Sequence, residues 1–142
     1  WKLTEKGDNW TLFWFDKSTS PERVMNLKSY QYINHFPGMN GIARKVPLCT
    51  NMMGMKKYFP KAFSFYPRSW QLPQQTQLFM KDKHHTKDTV YIIKPNAGSL
   101  GKGISMTKDK KDIYRREGDA VVQEYIDNPM LIDGYKFDLR VY

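Results

Sequence analysis

The chain of 142 residues is long enough for one domain or parts of two, and its 40% hydrophobic and 15% aromatic content excludes a disordered segment. Its 23 basic and 14 acidic residues give a formal net charge of +9, which favours an anionic partner such as nucleic acid, a membrane surface, nucleotide phosphates or an acidic peptide. Cys49 is the only cysteine, which excludes a disulfide framework and a cysteine-based metal site and favours the reducing cytosol. No apolar run approaches the roughly eighteen residues of a membrane span.

The first third of the chain predicts one strand and one helix. The aromatic segment 10–15 predicts a short strand whose side chains belong to the core. Ser20 is in the position of an N-cap, with Pro21 and Glu22 in the first helical turn. Apolar residues at helical spacing behind this cap predict that the helix continues to residue 33.

The middle of the chain predicts a second helix over Pro47–Phe59, where apolar residues recur at intervals of three or four. Cys49 and the methionines of this helix are expected to be buried. Further on, the sequence predicts two extended stretches, a short polar helix and a charged loop, over 63–67, 69–73, 74–83 and 81–88. His84 and His85 lie in this loop without other ligands at a suitable spacing, so we interpret them as solvated histidines and not as a metal site.

A strand that ends in a lysine and leads into a glycine-rich loop is the main candidate for a functional site. The strand is predicted over Thr89–Ile93 and is followed by Lys94 and the loop Gly98–Gly103. Glycines let backbone N–H groups approach phosphate oxygens, while Lys94 and Lys102 supply positive charge. The spacing matches neither a Walker A loop nor the dinucleotide-binding fingerprint. From the loop alone, phosphate binding and a plain hairpin to a strand at 104–107 are about equally supported.

A further strand is predicted over Ala120–Ile126. Its edge can offer backbone groups to a purine while Tyr125 and Ile126 flank the face of the ring. The alternative is an ordinary core strand, which we accept for Val121 and Val122.

The end of the chain alternates between apolar and polar residues and predicts a half-buried strand over 136–142. Lys136, Asp138 and Arg140 fall on one face of it. They form either a surface salt-bridge ladder or a group that meets a γ-phosphate and a carboxylate substrate. Because the chain begins at Trp1 and stops inside this strand, we expect it to be a fragment of a longer protein.

Several blocks of the sequence resemble one family. Segments 94–103, 123–126 and 133–140 resemble, in that order, the ATP site of tubulin tyrosine ligase-like enzymes, and most of all the tubulin polyglutamylases. Upstream, the resemblance extends through the segments 34–39, 44–45, 57–60, 65–70 and 72–73. It therefore covers most of the chain in independent blocks.

The resemblance implies an α+β fold of the ATP-grasp type, in which two lobes hold ATP between them. The fold is expected to be incomplete here, with the C-terminal part of the cleft missing. By the resemblance, the chain divides into an N-terminal α/β lobe, a central ATP-grasp lobe with the glycine loop, and the first strand of the C-terminal lobe, over 1–66, 67–134 and 135–142.

The resemblance also implies an activity. This is an ATP-dependent carboxylate–amine ligase that adds glutamate to glutamate side chains of tubulin C-terminal tails through an acylphosphate. ATP and Mg²⁺ are the implied cofactors, and tubulin or microtubules and free L-glutamate are the implied partners, with no nucleic acid, no membrane and a monomeric state. The implied location is the cytoplasm and cytoskeleton, including the cilium, axoneme or basal body. Since the magnesium ligands of the family lie beyond residue 142, the fragment alone is expected to be inactive.

The site residues follow from the family pattern. Lys94 is expected to contact the ATP phosphates, covered by the loop residues Leu100, Gly101, Lys102 and Gly103. The adenine end is expected to be lined by Gln123, Glu124, Tyr125 and Ile126. The site is expected to be closed by Lys136, Phe137 and Asp138. The catalytic roles are expected to fall on Lys136, Asp138 and Arg140, with the arginine meeting phosphate or the amino-acid substrate.

The glycine loop departs from the family pattern. The family commonly has Gly-Cys-Gln-Gly-Arg-Gly where this chain has Gly98-Ser-Leu-Gly-Lys-Gly103. Leu100 replaces a glutamine that could touch ATP or the acceptor, which leaves open a related glycylase or monoglutamylase and an inactive ATP-binding relative. A basic nucleic-acid-binding module is a further alternative, which the scattered basic residues disfavour.

Overall fold

The computed structural model describes residues 2–4, 7, 9–98, 100–139 and 141. Within these residues, the elements follow in the order β1 (Leu12–Phe13), α1 (Pro21–Met25), β2 (Tyr32–Ile33), α2 (Asn40–Ala43), α3 (Lys45–Tyr58), β3 (Ser69–Leu72), α4 (Thr76–Lys81), β4 (Tyr91–Pro95), β5 (Ser105–Thr107), α5 (Lys110–Tyr114), β6 (Ala120–Glu124), β7 (Leu131–Ile132) and β8 (Tyr135–Lys136).

The centre of the fold is a four-stranded antiparallel sheet with the strand order β3-β6-β4-β5. Successive side chains of a strand point to opposite faces, so the register sorts them into two sets. One set forms an apolar face that packs with Phe79 of α4 and Ile113 of α5. Its members are the buried residues Trp70, Leu72, Tyr91, Ile93, Ala120 and Val122. Full burial of a valine, leucine, isoleucine or phenylalanine side chain stabilises a fold by about 1.5–3 kcal/mol, so this face contributes substantially to stability.

The opposite face of the same strands is polar. It carries Ser69 of β3, Lys94 of β4 and Gln123 of β6, which alternate in sequence with the core residues. Helix α3 packs against β3 and β6 on this side and buries Cys49, as expected. Burial raises the pKa of the Cys49 thiol to about 11, while the nearby charge of Lys94 opposes this. The thiol therefore stays protonated at neutral pH.

Helix α1 begins as predicted but is much shorter. The hydroxyl oxygen of Ser20 accepts the backbone N–H of Arg23 at 3.3 Å, which confirms the N-cap. The helix ends at Met25, and the predicted extension is wrong. Strand β2 lies there instead, parallel to β1, with the backbone N–H of Tyr32 donating to the carbonyl of Thr11 at 2.8 Å. This long-range pairing satisfies backbone groups in a way that helical spacing does not reveal.

The later elements agree more closely with the sequence. Helix α3 and strands β3, β4 and β6 lie where they were predicted, and α4 occupies the centre of the predicted polar helix. The segment 63–67 is not extended, however, because it forms turns in which the backbone N–H of Phe63 donates to the carbonyl of Phe59 at 3.1 Å. Met55 is exposed on the outer side of α3, contrary to the expected burial.

The aromatic segment 10–15 divides between interior and surface. Phe13 and Phe15 are half-buried, with the guanidinium of Arg23 4.3 Å from the ring centre of Phe13. Trp14 is 74% exposed, so its expected place in the core is wrong. Only Leu12–Phe13 pairs as a strand, and the side chain that follows points away from the packed face.

The two adjacent histidines have different environments. The His84 side chain is 79% exposed and contacts Asp82, as expected for a solvated residue. His85 is half-buried and packs against the rings of Trp70, Phe79 and Tyr91, so the prediction is wrong for this histidine. Its Nε2 donates to the carbonyl of Phe79 and its Nδ1 contacts the Tyr91 hydroxyl. Since a carbonyl only accepts, Nε2 carries a proton in this arrangement.

The end of the chain forms a short hairpin, β7–β8, whose turn residues Asp133 and Gly134 have φ values of 52° and 81°. Of the described residues in the predicted strand 136–142, only Lys136 pairs within it. Leu139 and Val141 are exposed, so a half-buried strand is wrong for the described part of this segment. Among the described residues, no strand lies beside 137–139 to receive its backbone hydrogen bonds. The division of the chain into three lobes stays a prediction.

Candidate functional site

The polar face of the central sheet brings Lys94 and Gln123 together. Lys94 is opposite Val121 in the register, and Gln123 lies two residues further along β6, so both side chains share one face. The ammonium of Lys94 donates to Oε1 of Gln123 at 2.7 Å. Gln123 is only 9% exposed, so this amide is a fixed acceptor and not a mobile surface group.

A second lysine approaches from α3. The ammonium of Lys45, the first residue of that helix, donates to the backbone carbonyl of Gly98 in the glycine loop at 2.8 Å. Burial lowers the pKa of Lys94, and the positive charge of Lys45 lowers it further. Two ammonium groups that disfavour each other form a site that an anion stabilises, because a negative charge between them offsets their repulsion.

A pocket of about 270 Å³ opens beside Lys94. Its walls combine apolar side chains with two lysines, and its lining residues are Pro67, Ile92, Lys94, Gln123, Glu124, Tyr125, Ile126, Pro129 and Lys136. The ammonium of Lys136 lies 5.9 Å from the ring centre of Tyr125, within cation–π range. The fold thus brings together site residues from three separate segments of the sequence. The arrangement fits a flat apolar group with an attached anion.

The carboxylate of Glu124 does not share the face of Gln123. Its two oxygens accept from Nη2 and Nε of Arg68 at 2.8 and 3.0 Å, and Nη1 of the same arginine reaches Asp82 at 3.2 Å. The hydrogen bond from Arg68 lowers the pKa of Glu124, although burial opposes this. Glu124 can therefore serve a ligand in the pocket through its backbone, while its side chain braces β6 against the segment that follows α4.

The Arg68 cluster predicts an acid-sensitive structure. Burial raises the pKa of Asp82, but hydrogen bonds from His84 and the charge of Arg68 outweigh it, so the pKa is lowered, as for Glu124. A carboxyl whose pKa is lower in the folded state stabilises the fold above its unfolded pKa of about 4. That stability is lost as the pH falls through the folded value. We expect the free energy of unfolding to be constant from about pH 7 to 5 and to fall below it.

The measurement is denaturant unfolding as a function of pH, with Arg68→Leu as the comparison. The variant is expected to show a shallower loss below pH 5. An equally steep loss in both proteins would assign the acid sensitivity to other carboxyl groups.

The glycine loop is the connection of an antiparallel hairpin between β4 and β5. Leu100, Gly101 and Gly103 have φ values of 55°, 77° and 72°, so the backbone turns through left-handed conformations. Leu100 is 95% exposed, and the exposed Lys102 follows in the same turn. The predicted hairpin between the strand before Lys94 and a strand at 104–107 is therefore confirmed as the local structure. It is compatible with phosphate binding, since Lys94 and Lys45 lie at its base. The covering role of the loop stays a prediction.

Gly103 is the tightest position of this loop. A Cβ atom there would lie 2.9 Å from Cγ of Pro95, whereas a Cβ at Gly101 would meet nothing within 4 Å. Both have left-handed backbone conformations, so alanine is strained at either. We expect Gly103→Ala to lower the free energy of unfolding by about 1 kcal/mol more than Gly101→Ala, because only the former clashes. Denaturant unfolding without nucleotide measures the difference, and equal effects would contradict the close approach.

The third predicted segment contributes one residue to the pocket. Lys136 lines it, whereas Asp138 is exposed and is not among its lining residues, and Phe137 is more than one-third exposed. Arg140 lies outside the described residues. The catalytic roles of Lys136, Asp138 and Arg140 stay predictions, as does the part of Phe137 in closing the site.

The sequence matches the model of a known protein family over most of its length. The model of the tubulin-tyrosine ligase family matches residues 23–142. The chain belongs to this family.

Its relatives of the tubulin-tyrosine ligase family include several tubulin polyglutamylases. Tubulin polyglutamylase TTLL6 of Mus musculus is 51% identical over 142 residues, which cover 99% of this chain and 17% of that protein. Tubulin polyglutamylase TTLL13 of Homo sapiens is 44% identical, with the same shares of 99% and 17%. A probable beta-tubulin polyglutamylase of Tetrahymena thermophila is 39% identical over 100% of this chain and 12% of that protein. The chain thus spans about one sixth or less of the length of these relatives.

A solved structure supports the fold. The C-terminal domain from K. lactis Pby1, described as an ATP-grasp enzyme that interacts with the mRNA decapping enzyme Dcp2, is similar with a TM-score of 0.55. The identity is 18%, and the similarity covers 93% of this chain and 41% of that one. The likeness shows the fold alone and confirms the predicted ATP-grasp class. No helix among the described residues is long and apolar enough to cross a membrane.

Three residues of the site escaped the sequence reasoning in this family member. Lys45 and Ser69 lay inside blocks that resemble the family, but no pattern in the sequence gave either a role. The sequence likewise indicated no role for Arg68. The signal that could have found Ser69 and Arg68 is strand pairing. Pairing Ser69 with Gln123 places the serine on the same face of the sheet as Lys94, and it places Arg68 beside Glu124.

Proposed function

We propose that the protein containing this chain is an ATP-dependent ligase that adds glutamate to glutamate side chains in the acidic C-terminal tails of tubulin. Membership of the tubulin-tyrosine ligase family and the polyglutamylase names of the relatives support this reaction. The observation that carries it is the pocket where Lys94, Gln123 and Lys136 meet beside an apolar wall. The coarser part of the proposal, an ATP-grasp ligase, also agrees with the similar fold.

The pocket fits ATP in its chemistry. Ile92, Ile126 and Pro129 supply apolar surface for a purine, and the backbone of 124–126 offers polar groups at the same end. Lys94 and Lys45 supply the charge for phosphates at the base of the glycine loop. In this proposal Leu100, Gly101, Lys102 and Gly103 cover the phosphates. The adenine end comprises residues 123–126, and the third segment comprises Lys136, Phe137 and Asp138.

Magnesium is a different case. Among the described residues, no group of three or more His, Cys, Asp or Glu side chains could hold a metal ion. The described residues therefore hold no cluster of this size, and the reaction below is written without a metal ion. The family resemblance places its ligands beyond residue 142, and this stays a prediction.

The mechanism we propose needs no protein nucleophile. ATP supplies the γ-phosphoryl group, which is transferred to an oxygen of the acceptor carboxylate while ADP leaves, and the resulting acylphosphate is attacked by the amino group of glutamate. The new C–N bond forms, phosphate leaves and the amine loses a proton. The contribution of this chain is to hold the phosphates in place and to stabilise their charge with Lys94 and Lys45.

The charge of the chain suits an acidic protein substrate. A net charge of +9 attracts a polyanionic tail and accelerates encounter in a salt-dependent way. We propose tubulin or microtubules and free L-glutamate as partners, with the protein acting as a monomer. The proposed location is the cytoplasm and cytoskeleton, including the cilium or axoneme.

The test is incorporation of labelled amino acids by the full-length protein. It is incubated with microtubules, ATP and either labelled glutamate or labelled glycine, with microtubules lacking their C-terminal tails as the control. We expect glutamate to be incorporated only into intact tubulin and only with ATP. Incorporation of glycine alone would identify a glycylase, and no incorporation by a folded protein that binds ATP would refute the ligase assignment.

A further inference from the structure

We propose that Ser69 is a positioning residue, which turns the carboxamide oxygen of Gln123 toward Lys94 and thereby fixes the ammonium group that meets phosphate. This inference rests on the proposed function, since it assumes that Lys94 binds ATP phosphate.

The strand register brings the three side chains onto one face. Ser69 of β3 is directly opposite Gln123 of β6, and Lys94 of β4 lies diagonally across from Gln123 on the other side. Directly opposite and diagonal neighbours on one face are within side-chain reach. Ser69 and Gln123 are 2% and 9% exposed, so water does not compete for their hydrogen bonds.

The hydrogen bonds of this row have a fixed direction. The Ser69 hydroxyl lies 2.9 Å from the carbonyl of Pro67, and a carbonyl only accepts, so the single hydroxyl proton is donated there. Oγ of Ser69 is then an acceptor for Nε2 of Gln123 at 2.8 Å. The amide nitrogen therefore faces Ser69, and the amide oxygen faces Lys94 at 2.7 Å. The orientation of the amide follows from the serine and not from the lysine alone.

This orientation matters because Lys94 is partly withdrawn from water. Burial lowers the pKa of Lys94, which means that its ammonium form needs an acceptor. Without the Ser69 oxygen, Nε2 of Gln123 loses the acceptor that holds it on the side away from Lys94. In the reversed orientation the amide presents N–H groups to a cation. The expected result is an ammonium that is both less well held and more easily deprotonated.

Other titratable groups surround the row. Lys45 and Cys49 of α3 lie near Lys94, and Tyr66 lies beside Ser69 and Gln123. Lys136 lines the same pocket. Burial raises the pKa of Tyr66 and that of Cys49, so both are neutral between pH 7 and 9. A readout that resolves Lys94 from Lys45 and Lys136 is therefore required.

The experiment compares Ser69→Ala with Ser69→Thr in the full-length protein. The threonine keeps the hydroxyl, and Thr50→Val is the matched control because it removes a hydroxyl that contacts Gln71 on the same face at 3.2 Å. ATP affinity is measured from pH 7 to 10. The pKa of Lys94 is measured separately, without nucleotide, by pH-dependent acetylation with mass spectrometry of each lysine. Circular dichroism checks the fold.

We expect Ser69→Ala to weaken ATP binding about five- to tenfold at neutral pH, the size expected for one hydrogen bond between uncharged groups. It should also lower the pKa of Lys94, so the alkaline decline of ATP affinity begins at a lower pH. Ser69→Thr should restore both, and Thr50→Val should change neither. If Ser69→Ala does not fold, Ser69→Cys gives the same comparison, because sulfur is a weak acceptor of similar size.

Two failures can be told apart. If the folded Ser69 variants keep the wild-type Lys94 pKa and ATP affinity while Lys94→Ala loses ATP, the positioning role is overturned and the proposed function stands. If Lys94→Ala binds ATP as the wild type does, the proposed function fails. The acetylation profile of Lys94 still decides whether Ser69 controls it.

Discussion

Replacement of Lys94 by alanine in the full-length protein is expected to weaken ATP binding by about ten- to a hundredfold and to lower kcat of ligation by a further factor of about 10²–10³. The first figure is the size of a hydrogen bond to a charged group. The second is the typical loss in kcat when a fixed donor that stabilises developing charge is removed. Lys94 is such a donor, since its ammonium is held by the side chain of Gln123, whereas Lys102 of the loop is exposed to water. Equilibrium binding of ATP and glutamate incorporation into tubulin give the two readouts.

Lys87→Ala is the matched control for Lys94, since it removes the same charge from an exposed loop. It is expected to leave both readouts near the wild type. Lys94→Arg should remain impaired, because a planar guanidinium does not replace a compact ammonium beside the Gln123 amide. Normal ATP binding by folded Lys94→Ala would show that the nucleotide phosphates lie elsewhere.

Replacement of Arg68 by alanine is expected to lower the free energy of unfolding by about 2 kcal/mol. The arginine bridges Glu124 at the end of β6 and Asp82 after α4, with side chains 24%, 31% and 17% exposed. Because these side chains are partly exposed, the loss of stability is smaller than for removing one partner of a fully buried ion pair. Removing the shared partner nevertheless takes both arginine hydrogen bonds from Glu124 and leaves Asp82 with its contacts to His84 alone. Denaturant unfolding of the full-length protein measures the loss.

The geometry of Arg68 supplies the comparison. Arg68→Lys keeps the charge but not the planar fork that reaches both oxygens of Glu124, so we expect an intermediate loss. Arg115→Ala removes an exposed arginine after α5 and should stay within about 0.5 kcal/mol of the wild type. If Arg68→Ala and Arg115→Ala are equally stable, the bridge contributes nothing to the fold.

The sequence predicted the elements that local patterns determine. Helix α3 follows from the spacing of its apolar residues, and strand β4 follows from its β-branched and aromatic run. The cap at Ser20 was recognisable because the required side chain and the following proline are adjacent. Lys94 and Gln123 were both selected as candidates, because their segments resemble a known ATP site. The structure adds that their side chains touch.

The remaining features depend on pairing between distant residues. The end of α1 is set by β2 pairing with β1, and the shared face of Ser69 and Gln123 is set by a register across 54 positions of the chain. Glu124 shows the same limit, since it is adjacent to Gln123 in sequence but its carboxylate binds Arg68 instead of facing the pocket. Neighbouring side chains of a strand point to opposite faces of the sheet, and only the fold shows which face is the core and which is the pocket.

Strand β6 is paired on both sides, and its alternate residues serve the core and the pocket. A deletion or insertion of one residue within 120–124 would exchange the two sets, turning Val122 toward the polar face and Gln123 into the core. Natural variation in length should therefore be absent from this strand and concentrated in the loop 82–88. The sheet thus allows substitutions in these five positions but no change in their number.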